Sequence, residues 1–301
     1  MQVQDIKNIL ILGSGVMGSQ IGYYMALRGL SVKIYDISKE SLENAQSQIN
    51  KWADYFVEKQ YINQTYAEGT LQRISFISNK NEAAKDADLI SESIPEDPEL
   101  KGKVFGEFNE LCPEHTIFTT NSSSIVPSEF ADKTGRPEKL VAMHFYQYVW
   151  ESNVVDIMGH ENTSPEIVET VTAFAKHINQ IPVVMKKEFR FYVYNYILRA
   201  SNRAALDIVT SGAATPEDVD RSVMGVMKIG RGPFGTIDLI GLDTFHNMSA
   251  FWAEKLDDPE LRRNADYLKT YVEQGKLGVK SGEGFYTYPN PEFEDPDFIK
   301  P

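Results

Sequence analysis

The stretch Ile9-Leu10-Ile11-Leu12-Gly13-Ser14-Gly15-Val16-Met17-Gly18 decides the fold of this chain. Four apolar residues typical of a buried strand run directly into a Gly-x-Gly-x-x-Gly motif, and a helical pattern of apolar residues follows as far as Gly29. A strand, a tight turn and a helix in this order predict a dinucleotide-binding unit.

Each glycine of the motif has its own predicted role. Gly13 permits the tight turn, Gly15 lets the backbone approach a pyrophosphate, and Gly18 lets the helix pack closely on the strand. The amides of Val16 and Met17 then stand at the helix N-terminus, where free N–H groups and the helix dipole attract phosphate.

A carboxylate at the end of the second predicted strand favours one cofactor. The strand at residues 32–35 ends in Asp36. A carboxylate there accepts hydrogen bonds from an adenosine ribose diol and repels a 2′-phosphate, which favours NAD over NADP. A flavin or nucleotide-sugar Rossmann domain, or a glycine-rich turn without a ligand, stays the alternative.

The whole-chain composition is that of an ordinary globular protein. Its 301 residues are enough for two domains with separate cores, and 42% of them are hydrophobic and 24% charged. A formal net charge of −13 argues against nucleic acid as a partner, since no basic stripe offsets that field.

The cellular location is predicted from features that the sequence lacks. The single cysteine, Cys112, allows no internal disulfide, and no His–Cys cluster near it indicates a zinc finger. The polar first residues predict no signal peptide, and no apolar run approaches the roughly 20 residues that cross a bilayer. We therefore predict a cytoplasmic protein with no bound metal and no membrane contact.

Strand and helix patterns alternate as far as Lys187 and then give way to helices. An aromatic-rich segment at residues 52–66 is predicted to prolong the second helix, and residues 192–210 form the first long helix beyond the last strand. We predict an α/β fold, with a Rossmann-type doubly wound sheet in residues 1–187 that binds NAD, followed by an all-helical domain in residues 188–301.

Polar residues follow the carboxyl ends of two predicted central strands. Glu96 and Lys101 lie in the loop and first helical turn after one strand, and Asn121-Ser122-Ser123-Ser124 follows the next. The carboxyl ends of parallel strands lie at one edge of a sheet, so these residues are expected beside the glycine turn. A Ser-rich turn that caps the next helix would explain only one or two of the serines.

A histidine and an aspartate stand on neighbouring predicted strands. His144 lies near the end of strand 140–145, and Asp156 lies partway along strand 154–158. A hairpin-like pairing of these strands would set Asp156 beside the imidazole. The pair suits general acid–base chemistry because an imidazole takes up and releases a proton near neutral pH, with a structural role as the alternative.

The order of these motifs resembles that of the L-3-hydroxyacyl-CoA dehydrogenase family, which includes bacterial 3-hydroxybutyryl-CoA dehydrogenases. The resemblance covers nearly the whole chain, and the motifs are specific as an ordered set rather than one by one. They are GSGVMGSQI (13–21), ADLISESIPEDPELK (87–101), TNSSSI (120–125), MHF (143–145), YVYNYIL (192–198), GPFGTIDLIGLD (232–243) and KSGEGFYTY (280–288).

The resemblance implies roles for four residues of the reaction site. His144 stands where the family has its catalytic base, and Asp156 stands where the family has the glutamate that orients this base. Ser123 matches the serine that contacts the substrate near the reacting carbon, and Asn195 matches the asparagine that reaches in from the helical domain.

The resemblance also implies cofactor contacts beyond the glycine turn. Glu96, Lys101 and Lys280 match positions at which family members contact NAD. Ser123 is expected near the cofactor as well, and Gln147 offers an amide to the nicotinamide carboxamide.

Three departures from the family pattern bear on the substrate rather than on the fold. Family members usually read His-Phe-Phe-Asn-Pro, whereas residues 144–148 read His-Phe-Tyr-Gln-Tyr. Asp156 is one methylene shorter than the family's glutamate, so its contact with His144 needs a closer backbone or a water. Arg190-Phe191 replaces the usual Pro-Gly and brings two bulky residues to the interdomain hinge.

A surplus of apolar residues in the helical domain predicts self-association. Exposed apolar patches usually mark association surfaces, and family members pair through this domain, so the resemblance implies a homodimer. The residues are Tyr192, Tyr194, Tyr196, Ile197, Leu198, Ile237, Leu239, Phe245 and Phe251.

The predicted function is reversible hydride transfer between NAD and a short-chain (S)-3-hydroxyacyl-CoA, a reaction of fatty acid metabolism. The substrate partner is therefore a small molecule of the acyl-CoA type. Two alternatives stay open: a dehydrogenase of a non-CoA hydroxy acid, similar to the carnitine and gulonate dehydrogenases, and an NAD-binding protein with little turnover.

Overall fold

The computed structural model describes residues 2–300 and divides into two compact units, Met1–Val193 and Tyr194–Pro301. The boundary between them falls in the first turn of a long helix. None of the helices described for residues 2–300 combines the length and the apolar character that a membrane crossing requires.

The first unit is built on one eight-stranded sheet with the order β3-β2-β1-β4-β5-β6-β7-β8. Neighbouring strands are parallel except β6 and β7, which are antiparallel. The strands are β1 (Asn8–Leu12), β2 (Ser31–Tyr35), β3 (Ile74–Ile77), β4 (Leu89–Glu92), β5 (Ile117–Thr120), β6 (Leu140–Phe145), β7 (Val154–Met158) and β8 (Ile181–Val184). The predicted doubly wound sheet is confirmed.

Six helices cover the two faces of this sheet. Because successive side chains of a strand point to opposite faces, Ile9 and Ile11 of β1 pack in one hydrophobic core, whereas Leu10 and Leu12 pack in the other. The helices are α1 (Val16–Leu27), α2 (Lys39–Glu58), α3 (Gln64–Leu71), α4 (Lys80–Ala84), α5 (Pro98–Asn109) and α6 (Pro165–His177).

The sheet topology brings the predicted site residues to one edge. The glycine turn, the loop that holds Glu96 and the loop that holds Ser123 follow the carboxyl ends of β1, β4 and β5, which are parallel. The antiparallel β6–β7 pair sets His144 directly opposite Asp156 in register. The hairpin-like pairing predicted for these two residues is therefore confirmed.

The second unit is helical, apart from two isolated β-bridges among residues 278–287. Its helices are α7 (Tyr192–Thr210, which begins in the last residues of the first unit), α8 (Pro216–Met227), α9 (Pro233–Ile240), α10 (Leu242–Leu256) and α11 (Pro259–Val272). The limits of α7 match the prediction, and the all-helical character of the second domain is confirmed.

Two sequence-based expectations are corrected. Residues 52–66 do not continue one helix: α2 ends at Glu58, Gln60 takes a left-handed conformation with φ of 60°, and α3 begins at Gln64 after its N-cap Asn63. Three apolar residues expected at an association surface are instead buried within their own unit. They are Tyr192, Ile237 and Phe245.

Candidate active site and nucleotide cavity

The glycine turn has the close backbone approaches that its motif predicts. Gly13 has φ of +94°, and a Cβ atom on it would lie 2.6 Å from the Ser93 carbonyl oxygen. A Cβ atom on Gly18 would lie 1.9 Å from the Gly13 carbonyl oxygen. A Cβ atom on Gly15 would meet no atom within 4 Å. Gly15 is also the N-cap residue of α1, so no side chain of the N-cap covers the amides at the start of this helix.

A cavity of 620 Å³ opens beside this turn. It is bounded by the turn, by Asp36 at the end of β2 and by Ser93 and Glu96 after β4. The Asp36 carboxylate is held in place by hydrogen bonds of 2.9 Å from the Ser14 amide, the Ser14 hydroxyl and the Ser38 amide. The buried Ser93 hydroxyl has no hydrogen-bond partner among residues 2–300.

These features fit a dinucleotide. The turn presents backbone donors where a side chain would block them, which suits a pyrophosphate. A fixed carboxylate on the cavity wall suits a ribose diol, and the volume lies within the usual range of small-molecule sites. Gly13, Gly15, Gly18, Asp36 and the α1 amides would therefore hold NAD.

Ser123, His144 and Asp156 form one hydrogen-bonded chain. The Ser123 hydroxyl lies 3.3 Å from His144 Nε2, and His144 Nδ1 lies 3.3 Å from Asp156 Oδ2. His144 and Asp156 are buried, whereas Ser123 is exposed. The contact between the shorter carboxylate and the imidazole is direct, because the two residues face each other across the ladder.

Glu96 connects the hydrogen-bonded chain of Ser123, His144 and Asp156 to the nucleotide cavity. Its carboxylate lines the cavity and accepts a hydrogen bond of 2.7 Å from the Ser123 amide and one of 2.6 Å from the Ser122 hydroxyl. The loops after β4 and β5 are thereby tied together. A nucleotide in the cavity would lie close to the loop that presents Ser123.

Lys101 lies beneath these loops rather than on the cavity wall. Its side chain is 1% exposed, and its ammonium lies 2.6 Å from Glu92 and 3.5 Å from Glu96. Burial raises the pKa of Glu92, against the opposing effects of Lys101, the Thr120 hydroxyl and the Ile94 amide. Lys101 thus holds two glutamates in place, and its direct contact with NAD stays a prediction.

Three further predicted site residues take no part in the hydrogen bonds described above. Gln147 is exposed after β6. Asn195 is half-buried in the first turns of α7, and Lys280 is paired with Asp243 at 2.5 and 2.6 Å within the second unit. Their contacts with NAD and substrate stay predictions.

Tyr192 covers the imidazole, and the sequence interpretation missed it. Its ring stacks on His144 with centroids 4.4 Å apart and an interplanar angle of 6°, and its hydroxyl donates to the Ser122 carbonyl at 2.8 Å. Burial and nearby carboxylates raise the pKa of Tyr192 well above its ordinary value. The stacked Tyr192 ring covers one face of the His144 imidazole, which is only 2% exposed.

The backbone before Tyr192 adopts a conformation that favours glycine. Phe191 has φ of 69° and Tyr192 has φ of 55°, both in the left-handed region. Arg190 is anchored next to them by the Ser124 carbonyl at 2.9 Å and by Glu129 at 3.0 Å. The bulky pair at residues 190–191 was the sequence signal of an altered hinge, but it did not indicate which side chain would reach His144.

Tyr146 is the second residue that the sequence interpretation missed. Its hydroxyl donates to Asp156 Oδ2 at 2.5 Å, and its ring packs edge-on against His144. The sequence shows the substitution of the second phenylalanine in the His-Phe-Phe motif, but it does not show where the new hydroxyl points.

In residues 2–300, no group of three or more His, Cys, Asp or Glu residues is arranged to hold a metal ion.

Known proteins match the chain over almost its whole length. Residues 8–189 match the family described as "3-hydroxyacyl-CoA dehydrogenase, NAD binding domain", and residues 192–288 match "3-hydroxyacyl-CoA dehydrogenase, C-terminal domain". A probable 3-hydroxybutyryl-CoA dehydrogenase of Bacillus subtilis is 34% identical over 94% of this chain and 98% of its own length.

Solved structures also match the chain over almost its whole length. A diketoreductase, described for the dual catalysis of dicarbonyl compounds, has a TM-score of 0.87 and 36% identity, and covers 94% of this chain and 99% of its own. The (S)-3-hydroxybutyryl-CoA dehydrogenase of Ralstonia eutropha has a TM-score of 0.82 and 26% identity, and covers 95% of this chain and 100% of its own. The chain belongs to the 3-hydroxyacyl-CoA dehydrogenase family of NAD-dependent oxidoreductases.

Proposed function

We propose that the protein interconverts short-chain (S)-3-hydroxyacyl-CoA and 3-ketoacyl-CoA. Residues 1–187 would bind NAD, and residues 188–301 would complete the substrate site and associate with a second copy. The observation that carries this proposal is the Ser123–His144–Asp156 chain, which Glu96 connects to the nucleotide cavity. The proposed setting is the cytoplasm.

His144 would act as the general base for the C3 hydroxyl of the substrate. Its Nε2 atom faces Ser123 and would take the hydroxyl proton, while Asp156 at Nδ1 keeps the tautomer fixed and stabilises the imidazolium that forms. Ser123 and Asn195 would hold the C3 oxygen by donating hydrogen bonds. The chemistry that NAD supplies when bound is the acceptance and return of a hydride.

The direct test is the oxidation of NADH during reduction of acetoacetyl-CoA, followed by absorbance, with longer 3-ketoacyl-CoA substrates in parallel. Turnover with acetoacetyl-CoA and a decline for longer chains would support the proposal. Tight NADH binding without oxidation by any 3-ketoacyl-CoA or non-CoA substrate would instead indicate an NAD-binding protein with little turnover.

A second candidate is a dehydrogenase of non-CoA substrates. It is favoured by the similarity to the diketoreductase, at 36% identity, and by the departures at residues 146–148 and 190–191. The same assay with free diketones, and with carnitine and gulonate in the oxidation direction, separates the two candidates. A kcat/KM higher for one of these than for acetoacetyl-CoA would overturn the CoA proposal.

Replacement of Asp36 by alanine is expected to raise the dissociation constant of NAD by roughly tenfold or more, because charge-assisted hydrogen bonds to the ribose are lost. The dissociation constant of NADP should stay constant or fall, since the repulsion of its 2′-phosphate is removed. Titration of both nucleotides in one variant provides the control. Equal weakening of both would show that Asp36 supports only the turn through Ser14 and Ser38.

A homodimer is proposed through the second unit. Tyr194, Tyr196 and Ile197 of α7 are between 52% and 61% exposed, and Phe251 of α10 is 58% exposed. Large exposed apolar side chains grouped on helices usually mark association surfaces. Light scattering at micromolar concentration should give twice the chain mass of 34.0 kDa. A monomer mass would contradict this proposal without affecting the assignment of the reaction.

A further inference from the structure

The carboxylate behind His144 receives a second hydrogen-bond donor. Asp156 Oδ2, which lies 3.3 Å from His144 Nδ1, also accepts a hydrogen bond of 2.5 Å from the Tyr146 hydroxyl. We propose that Tyr146 is a positioning residue, which acts on the reaction through Asp156 and without contact with the substrate. This inference rests on the proposed role of His144 as the base.

The strand geometry places Tyr146 where it restrains both partners. Tyr146 lies just beyond the end of β6 and two residues after His144, so its side chain points to the same side of the strand as the imidazole. Its ring packs edge-on against the imidazole, with centroids 4.9 Å apart and an interplanar angle of 80°. The ring thus limits rotation of His144, while the hydroxyl limits rotation of Asp156.

The shorter of the two hydrogen bonds to Oδ2 comes from Tyr146. Hydrogen bonds from a hydroxyl to a carboxylate at this length are charge-assisted and stronger than those between neutral groups. Asp156 is 1% exposed, so water is a poor substitute for a lost donor. Without the Tyr146 hydroxyl, the carboxylate is free to turn away from Nδ1, and the imidazole loses part of its fixed orientation.

Tyr146 and Asp156 also match each other in size. At 2.5 Å between the two oxygens, a side chain one methylene longer at position 156 would run into the hydroxyl. Removal of the hydroxyl leaves space for the longer carboxylate. Both residues are departures from the family sequence, and the contact between them indicates that the two departures form one functional unit.

The first test is Tyr146→Phe, which keeps the ring and removes the hydroxyl. We expect kcat with acetoacetyl-CoA to fall roughly tenfold, as for the loss of one hydrogen bond to a charged group, with the KM for NADH within about twofold of the wild-type value. Tyr61→Phe is the matched control, because Tyr61 is exposed and distant in sequence from the site. It should leave both constants unchanged.

The second test is reciprocal rescue. Asp156→Glu alone should lower kcat by about 100-fold, because the longer carboxylate is displaced by the Tyr146 hydroxyl. The kcat of the double variant Y146F/D156E should be at least tenfold higher than the kcat of Asp156→Glu. A residue that only supports the packing of its loop would give losses that multiply, and not a recovery.

The outcomes separate this inference from the proposed function. Full activity of Tyr146→Phe, or multiplied losses in the double variant, would overturn the role of Tyr146 while His144→Ala remained inactive. Near-normal activity of His144→Ala would overturn the proposed function itself. NADH binding by fluorescence in each variant establishes that the nucleotide-binding unit is folded.

Discussion

Replacement of His144 by alanine is expected to lower kcat by roughly 10³-fold, the order typical for loss of a positioned general base. The dissociation constant of NADH should stay within about twofold of the wild-type value, because the imidazole contacts Ser123, Asp156 and two tyrosine rings rather than the glycine turn. Steady-state kinetics with acetoacetyl-CoA and fluorescence titration with NADH measure the two quantities.

A histidine outside the site provides the control for this prediction. His177 is exposed at the end of α6, and His177→Ala should leave kcat unchanged. If His144→Ala retained more than a tenth of the wild-type kcat, His144 would not be the base. The hydrogen-bonded chain would then have a structural role only.

Replacement of Asp220 by alanine is expected to lower the free energy of unfolding of the second unit by about 3–5 kcal/mol, since it leaves several buried donors without an acceptor. The Asp220 carboxylate is fully buried in α8 and accepts hydrogen bonds from the Phe234 amide at 2.8 Å, the Gly235 amide at 2.9 Å and the Tyr286 hydroxyl at 3.0 Å. The two amides belong to the first turn of α9, whose N-cap Gly232 has no side chain to serve them.

A second aspartate on the same helix provides the matched control. Asp218 forms an exposed ion pair with Arg221, and Asp218→Ala should cost about 0.5 kcal/mol or less. Urea denaturation followed by far-ultraviolet circular dichroism compares the two variants with the wild type. Equal losses for both would contradict the assignment of Asp220 as the cap of α9.

The nucleotide-binding half of the molecule is predictable because its signals are local. The Gly-x-Gly-x-x-Gly motif requires a strand, a turn and a helix within a few residues, and the backbone contacts at Gly13 and Gly18 are those the motif predicts. The N-cap of α5, Asp97, is local in the same sense, because its carboxylate accepts hydrogen bonds from the amides of Glu99 and Leu100. The pairing of His144 with Asp156 follows from two short strands joined by the eight residues 146–153.

The residues that surround the His144–Asp156 pair are set by less local contacts, and the sequence interpretation missed them. Tyr192 reaches His144 across 48 residues of chain, because the left-handed backbone at Phe191 and Tyr192 redirects the start of α7. The resemblance implies a contact between Lys101 and NAD, which stays a prediction, but only the tertiary structure shows that the Lys101 side chain is buried against Glu92. Whether a side chain faces a cavity or a buried partner depends on atoms from several strands at once.

Local patterns in the sequence therefore determined the α/β architecture, the glycine turn, the acidic residue of the nucleotide cavity and the facing His144 and Asp156. The tertiary structure decided which side chains enclose that pair, including the hydroxyl of Tyr146, and which apolar residues of the helical unit stay exposed. The physical reason is the separation along the chain between the residues that interact. Turns, caps and strand register are set by neighbouring residues, whereas a side-chain partner is chosen by packing between segments that are distant in the chain.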